Sequence, residues 1–131
     1  MKYVYTVMVT SSLYSSQNSM SSFIFSRTVI SLGHNIYSVF FYGDGVFNGV
    51  TTSSMKNVHY VNIEEEWRKL HDTHNVRLYL CINSLIQRGV IKKNTNLSKE
   101  KNTKNISKAF SIVGFSRFLK SVKKSHRFIQ F

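Results

Sequence analysis

The chain has 131 residues, enough for one compact domain that buries about two-thirds of its unfolded surface and too few for two ordinary domains. With 42% hydrophobic and 14% aromatic residues it is not a disordered tail, and no apolar run nears the ~18 residues of a membrane span. The formal net charge of +12 is regional: residues 92–131 carry 11 Lys/Arg against Glu100 alone, whereas the first 91 residues are nearly balanced. Such a bias fits a solvated basic face as well as an acidic partner or RNA, so it does not identify a nucleic-acid protein.

In chain order, Met1-Lys2 ahead of YVYTVMV imitates a signal peptide, but the alternation of Tyr, Val and Thr is strand chemistry, not a helical h-region. It reads as a buried first strand (residues 3–9) of a cytoplasmic protein. In MSSFIFSRTVISL, Phe25, Val29 and Leu32 recur at helical spacing, and Gly33 stands where a helix-ending glycine belongs. IYSVFFY (36–42) is a second strand. A helix follows with Ile63, Trp67, Leu70 and His74 on one stripe, Asn62 and Glu65 forming a capping box, and Glu64 to Glu66 complementing its dipole. VRLYLCI (76–82) is a third strand, covered on both faces like the first two. A short helix carries Ile82, Leu85 and Ile86 and stops at Gly89. Residues 92–107 are polar, basic and aperiodic and read as an exposed loop. Ala109 to Val113 is a fourth strand, Phe115, Phe118, Leu119 and Val122 a helical stripe, and Phe128 to Phe131 a fifth strand. This order predicts right-handed crossovers and one open, mostly parallel five-stranded α/β sheet with helices on both faces, a single domain over 1–131.

Ligands of open α/β sheets bind outside the carboxyl ends of the strands, and three features fall there. The loop TSSLYSSQNS (10–19) is rich in hydroxyls that could hold a phosphate, but it has no Gly to let backbone amides converge. YGDGVFNG (42–49) echoes a dinucleotide fingerprint with the wrong spacing, after the second strand, and lacks the Lys-Ser/Thr of a P-loop. A tight turn placing Tyr42, Asp44 and Phe47 on the edge suits it better. The third feature is Cys81, where a strand ends and a helix begins. Backbone N–H donors and the positive end of a helix dipole favour a thiolate, the nucleophilic form of sulfur. The same residue inside LYLCI also fits plain core. His71 and His74 with Cys81 could supply metal ligands, but H-x-x-H spacing suits a cationic helix C-terminus better than zinc. As the single cysteine, Cys81 excludes an internal disulfide and an all-Cys zinc site.

Several segments together carry a resemblance: GHNIYSVFFYGDGVFNG, the helix with Trp67, HNVRLYLCINSLIQRGV and the terminal HRFIQF. They closely resemble TusD-type sulfurtransferase subunits of the DsrE-like family. The most specific parts are the strand-Cys-helix followed by Arg88 to Val90 and the block from Phe40 to Asn48. The resemblance implies a flavodoxin-like α/β fold without flavin, a catalytic Cys81, and no metal or organic cofactor. It further implies assembly with TusB- and TusC-like homologues as a dimer of heterotrimers. That complex would take persulfide sulfur from a TusA-like donor and pass it to a TusE-like acceptor, for 2-thiolation of the wobble uridine of certain tRNAs. tRNA would be touched only indirectly, and no membrane would be involved. The chain departs from the pattern at SSLYSS (11–16), where relatives are richer in Gly and Pro, and in the strongly basic 92–107. The lone cysteine suits a relay, because a resolving thiol would collapse a persulfide into a disulfide. Two other classes compete on the residues alone: a flavodoxin-like electron carrier using the 10–19 loop, and a non-catalytic tRNA-binding module built on the basic C-terminal third.

Overall fold

The computed structural model describes residues 1–51, 62–93 and 105–131. The strands are β1 (Val4–Val9), β2 (Asn35–Phe41), β3 (Arg77–Cys81), β4 (Phe110–Val113) and β5 (Arg127–Gln130). The helices are α1 (Asn18–Ser31), α2 (Ile63–His74), α3 (Ile82–Gln87) and α4 (Phe115–Lys123), and a 3₁₀ segment, Gly43–Gly49, follows β2. All four strand pairings are parallel, in the order β4-β3-β2-β1-β5. The expected α/β class, five-stranded parallel sheet and two-faced helix cover are therefore observed, with strand ends within a residue or two of expectation. Of the basic loop expected over 92–107, residues 94–104 lie outside the described residues.

The strand order explains the layering. From β1 to β4 the chain steps in one direction, then returns past β1 to place β5 on the far edge. Right-handed crossovers then put α1 and α2 on one face and α4 on the other. Side-chain contacts agree: Trp67 of α2 meets Phe41 and Phe23, while Phe118 of α4 meets Phe40 and Phe128. Alternation along the strands follows from these contacts. Val7, Val9, Val39, Phe41, Leu78 and Leu80 face α1 and α2; Thr6, Met8, Ser38, Phe40 and Tyr79 face α4. The one extra residue in β2 opposite Tyr5/Thr6 is a bulge that keeps this alternation aligned with β1.

α2 forms as its sequence dictates. Asn62 accepts a hydrogen bond from the Glu65 N–H (3.2 Å), three glutamates occupy the first turn, and Ile63, Trp67 and Leu70 are buried. α1 meets expectation in part: Val29 is buried and Phe25 packs partly buried against the core, but the buried face also carries Ser19, Ser22, Phe23 and Ser26, and Leu32 is 70% exposed. The serines can be buried because their hydroxyls are satisfied: Ser19 Oγ donates to the Ser11 carbonyl (2.8 Å), and within the helix Ser22 Oγ donates to the Ser19 carbonyl (2.7 Å) and Ser26 Oγ to that of Ser22 (2.9 Å). Hydrophobic periodicity does not register such a face, since serine reads as solvent-facing.

Ser38 has no such partner. Its side chain is fully buried in β2 and its Oγ makes no hydrogen bond among the described residues. An unpaired buried hydroxyl costs about 1–3 kcal/mol. Ser38→Ala should therefore stabilise the fold by roughly 1 kcal/mol, read as a higher urea midpoint at unchanged m-value.

Candidate functional site

The carboxyl edge is organised by the 3₁₀ segment, which folds back over the ends of β1 and β3. Gly45 and Gly49 are there for closeness. A Cβ on Gly45 would run into the Val9 carbonyl, and one on Gly49 would lie 2.8 Å from both Leu80 and Phe110. Tyr42 and Asp44 are exposed and Phe47 is half-buried, as expected of a close-packed turn. At its centre sits Asn48, fully buried. Its Nδ2 donates to the carbonyls of Gly45 (2.9 Å) and Ser11 (3.2 Å) and to Ser19 Oγ (3.2 Å). Its Oδ1 accepts from Trp67 Nε1 (3.4 Å). One amide thus joins the loop after β1, α1, the 3₁₀ segment and α2.

Two further contacts fasten α3 to the same segment. The Gly43 N–H donates to Ser84 Oγ (2.9 Å), and Arg88 Nε donates to Asp44 Oδ1 (2.8 Å). Held between these attachments is Cys81. It is the last residue of β3, the residue before α3, and opposite Val113 of β4. By strand alternation its side chain lies on the α4 face, with Tyr79 and Phe40. It is 2% exposed, and its thiol is free. Here the connections change face as well: α3 packs on the 3₁₀ segment beside α2, while β4 leads into α4 on the opposite side. A change of this kind at the carboxyl edge is where open α/β sheets place their ligands.

The other sequence candidates fall into place around this edge. Several hydroxyls of the 10–19 loop already have protein partners: Thr10 Oγ1 donates to the Phe131 carbonyl (2.9 Å), Ser19 Oγ donates to the Ser11 carbonyl (2.8 Å), and Ser12 Oγ accepts from the Tyr14 N–H (3.1 Å). His71 and His74 lie in the last turn of α2, ahead of β3, with His71 Nδ1 2.9 Å from the Val76 carbonyl. The five residues of β3, at about 3.3 Å each, separate them from Cys81. They stand in the last turn of the helix, at the other end of β3 from the thiol. A cavity of about 570 Å³, lined in part by His34, Tyr37, His74 and Arg77, opens at that amino edge, away from Cys81. Sequence reasoning missed Asn48 and Ser84 as organising residues, although both lie within the segments quoted for the resemblance.

The DsrE/DsrF-like family profile matches residues 3–131. The chain belongs to the DsrE/DsrF-like family. Among curated proteins it is 41% identical to Sulfurtransferase TusD of Buchnera aphidicola subsp. Baizongia pistaciae, over 97% of this chain and 98% of that one. It is 34% identical to Sulfurtransferase TusD of Buchnera aphidicola subsp. Acyrthosiphon pisum, with the same coverage. It is 32% identical to the Sulfurtransferase TusD homolog of Vibrio parahaemolyticus, over 97% of this chain and 96% of that one. The crystal structure of the YchN protein from E. coli superposes over the whole of both chains with a TM-score of 0.74 at 15% identity, a likeness of fold. This DsrE/DsrF-like chain thus matches the TusD proteins over nearly their whole length and shares its fold with YchN. No helix among its described residues is long and apolar enough to cross a membrane.

The edge has a clear order of energetic importance. Asn48→Ala removes a fully buried amide with four partners, whereas Asp44→Ala removes half of an ion pair whose carboxylate is 62% exposed. Asn48→Ala should cost about 1–3 kcal/mol and Asp44→Ala less than about 1 kcal/mol, measured by urea denaturation.

Proposed function

We propose that this chain is a persulfide relay subunit of the TusD type, a single sulfurtransferase domain over residues 1–131, with Cys81 as its sulfur carrier. The observation that carries the reading is the position of the chain's one cysteine: at the carboxyl end of β3, ahead of α3, where the connections change face. The relatives named sulfurtransferase over nearly the whole chain support it.

The chemistry needs one thiol at a time. The Cys81 thiolate attacks the outer sulfur of a donor persulfide; the donor's S–S bond breaks, and the donor departs as a thiolate. Cys81 now holds the persulfide. In the second half the thiolate of an acceptor cysteine attacks the same outer sulfur, and Cys81 leaves as the thiolate. Electrons balance within each exchange, so no external oxidant or reductant enters. Docking supplies proximity, and the absence of a second cysteine prevents internal disulfide formation. In the fuller form of the proposal, the chain works with TusB- and TusC-like subunits in the cytoplasm. It takes sulfur from a TusA-like donor, gives it to a TusE-like acceptor, and so serves 2-thiolation of the tRNA wobble uridine.

Burial shapes how the thiol is used. At 2% exposure, Cys81 meets solutes only through local opening or when a partner displaces its cover. Iodoacetamide should therefore label native Cys81 at least about tenfold more slowly than the urea-unfolded chain, an opening free energy of about 1.4 kcal/mol or more.

Cys81→Ser keeps the side-chain size but removes the sulfur that forms a persulfide, since a serine alkoxide is too scarce at neutral pH. The variant should fold and lose all sulfur loading, measured as an intact-mass gain of about 32 Da per sulfur after incubation with a persulfide-bearing donor. Loading of Cys81→Ser equal to that of the parent chain would remove the proposal. Lys92→Gln with Lys93→Gln should leave loading intact.

A further inference from the structure

Cys81 stands at the rim of the sheet and is nevertheless buried, so other side chains must roof it. Strand register names them. Phe41 pairs with Leu80, so Tyr42 follows level with Cys81 on one side, and Val113 pairs with Cys81 on the other. Partners on adjacent parallel strands point to the same face, and Phe40, two residues before Tyr42, lies against Phe118 of α4. Tyr42, Cys81 and Val113 thus form one row on the α4 face, at the rim, and Phe40, Tyr79 and Ser111 form the row behind it.

The chain crosses this row over the thiol. β4 and β2 are separated by β3, a gap of two strand spacings or about 10 Å. From Val113, on the β4 side, the chain passes Gly114 and begins α4 at Phe115. The Phe115 ring ends on the β2 side, in contact with Tyr42 (6.0 Å) and Phe40 (5.9 Å). The stretch from Val113 to that ring therefore spans the end of β3 on the face to which Cys81 points. Tyr42 closes the row from the other side, stacked on Phe40 at 6.4 Å. Both rings are half in solvent, 43% exposed for Tyr42 and 44% for Phe115, against 2% for Cys81. The roof is one ring thick. Phe115 is also the first residue of its helix, where the backbone frays most readily.

We infer that Tyr42 and Phe115 are specificity-determining residues of the sulfur transfer: their rings roof Cys81 and keep small free thiols from its outer sulfur. The inference rests on the reading of Cys81 as the sulfur carrier. The reaction they hold back is a simple exchange. A free thiolate attacks the outer sulfur, the S–S bond breaks, Cys81 leaves as the thiolate, and the sulfur is lost as a small persulfide.

The test is run on the full chain and again on the chain co-expressed with TusB- and TusC-like subunits. Native Cys81 is alkylated with iodoacetamide. Separately, chains loaded to completion with glutathione persulfide are freed of excess and exposed to glutathione, and loss of the gain of about 32 Da is followed by intact mass. Tyr42→Ala and Phe115→Ala should each speed both reactions about tenfold, with little dependence on low urea, as for a local opening. Tyr42→Phe keeps the ring and should match the parent. Phe128→Ala should also match it, since that ring is similarly exposed on the same face but lies beside β1, against Phe118. Unchanged rates in both alanine variants would overturn the inference. Rates that rise in urea with the slope of global unfolding would do the same, because the rings would then act only on stability. So would differences seen in the isolated chain and lost in the assembly, because a homologous subunit and not the two rings would then cover the thiol. If no chain takes up sulfur while alkylation changes as expected, the carrier reading fails, and the rings roof an ordinary core thiol.

Discussion

The carboxyl edge depends on one buried amide. Asn48 is the point where the loop after β1, the head of α1, the 3₁₀ segment and α2 are joined, and all its polar atoms are satisfied by those four elements. A polar group in that position is costly unless fully paired, so the network is satisfied in one arrangement of the edge. The 3₁₀ segment can approach closely enough for this because Gly45 and Gly49 present no Cβ to Val9, Leu80 and Phe110. Through Gly43 and Asp44 the same segment holds α3 by Ser84 and Arg88, and the start of α3 is where Cys81 sits.

Cys81 is therefore set by backbone architecture, at the end of β3 among core residues, and is nearly inaccessible. In the proposed role of sulfur carrier, such burial would shield a persulfide from passing thiols until a partner displaced its cover.

Topology leaves the two faces of the sheet unequally covered. The step from β4 to β5 crosses β3, β2 and β1 and leaves, among the described residues, a single short helix for one face of the sheet. Aromatic side chains fill the space beside it, and Tyr42, Phe115 and Phe128 remain partly exposed.

Much of this was legible in the sequence. The strands announced themselves as short β-branched and aromatic runs, because both faces of a parallel sheet are buried. α2 announced itself by Asn62, its glutamates and the Ile63-Trp67-Leu70 stripe, because capping and amphipathicity are local. Cys81 at a strand-to-helix junction was readable for the same reason. Tertiary structure alone decided the rest. The buried serines of α1 look solvent-facing until their hydroxyls are seen to be paired, and of the Phe25-Val29-Leu32 stripe only Leu32 lies out in solvent. His71 and His74 are near Cys81 in sequence yet lie at the other end of β3, since a strand carries its two ends apart. Asn48 gains its role from partners 3 to 37 residues away. The face on which Cys81 points depends on strand register, which is a property of the assembled sheet and of no single segment.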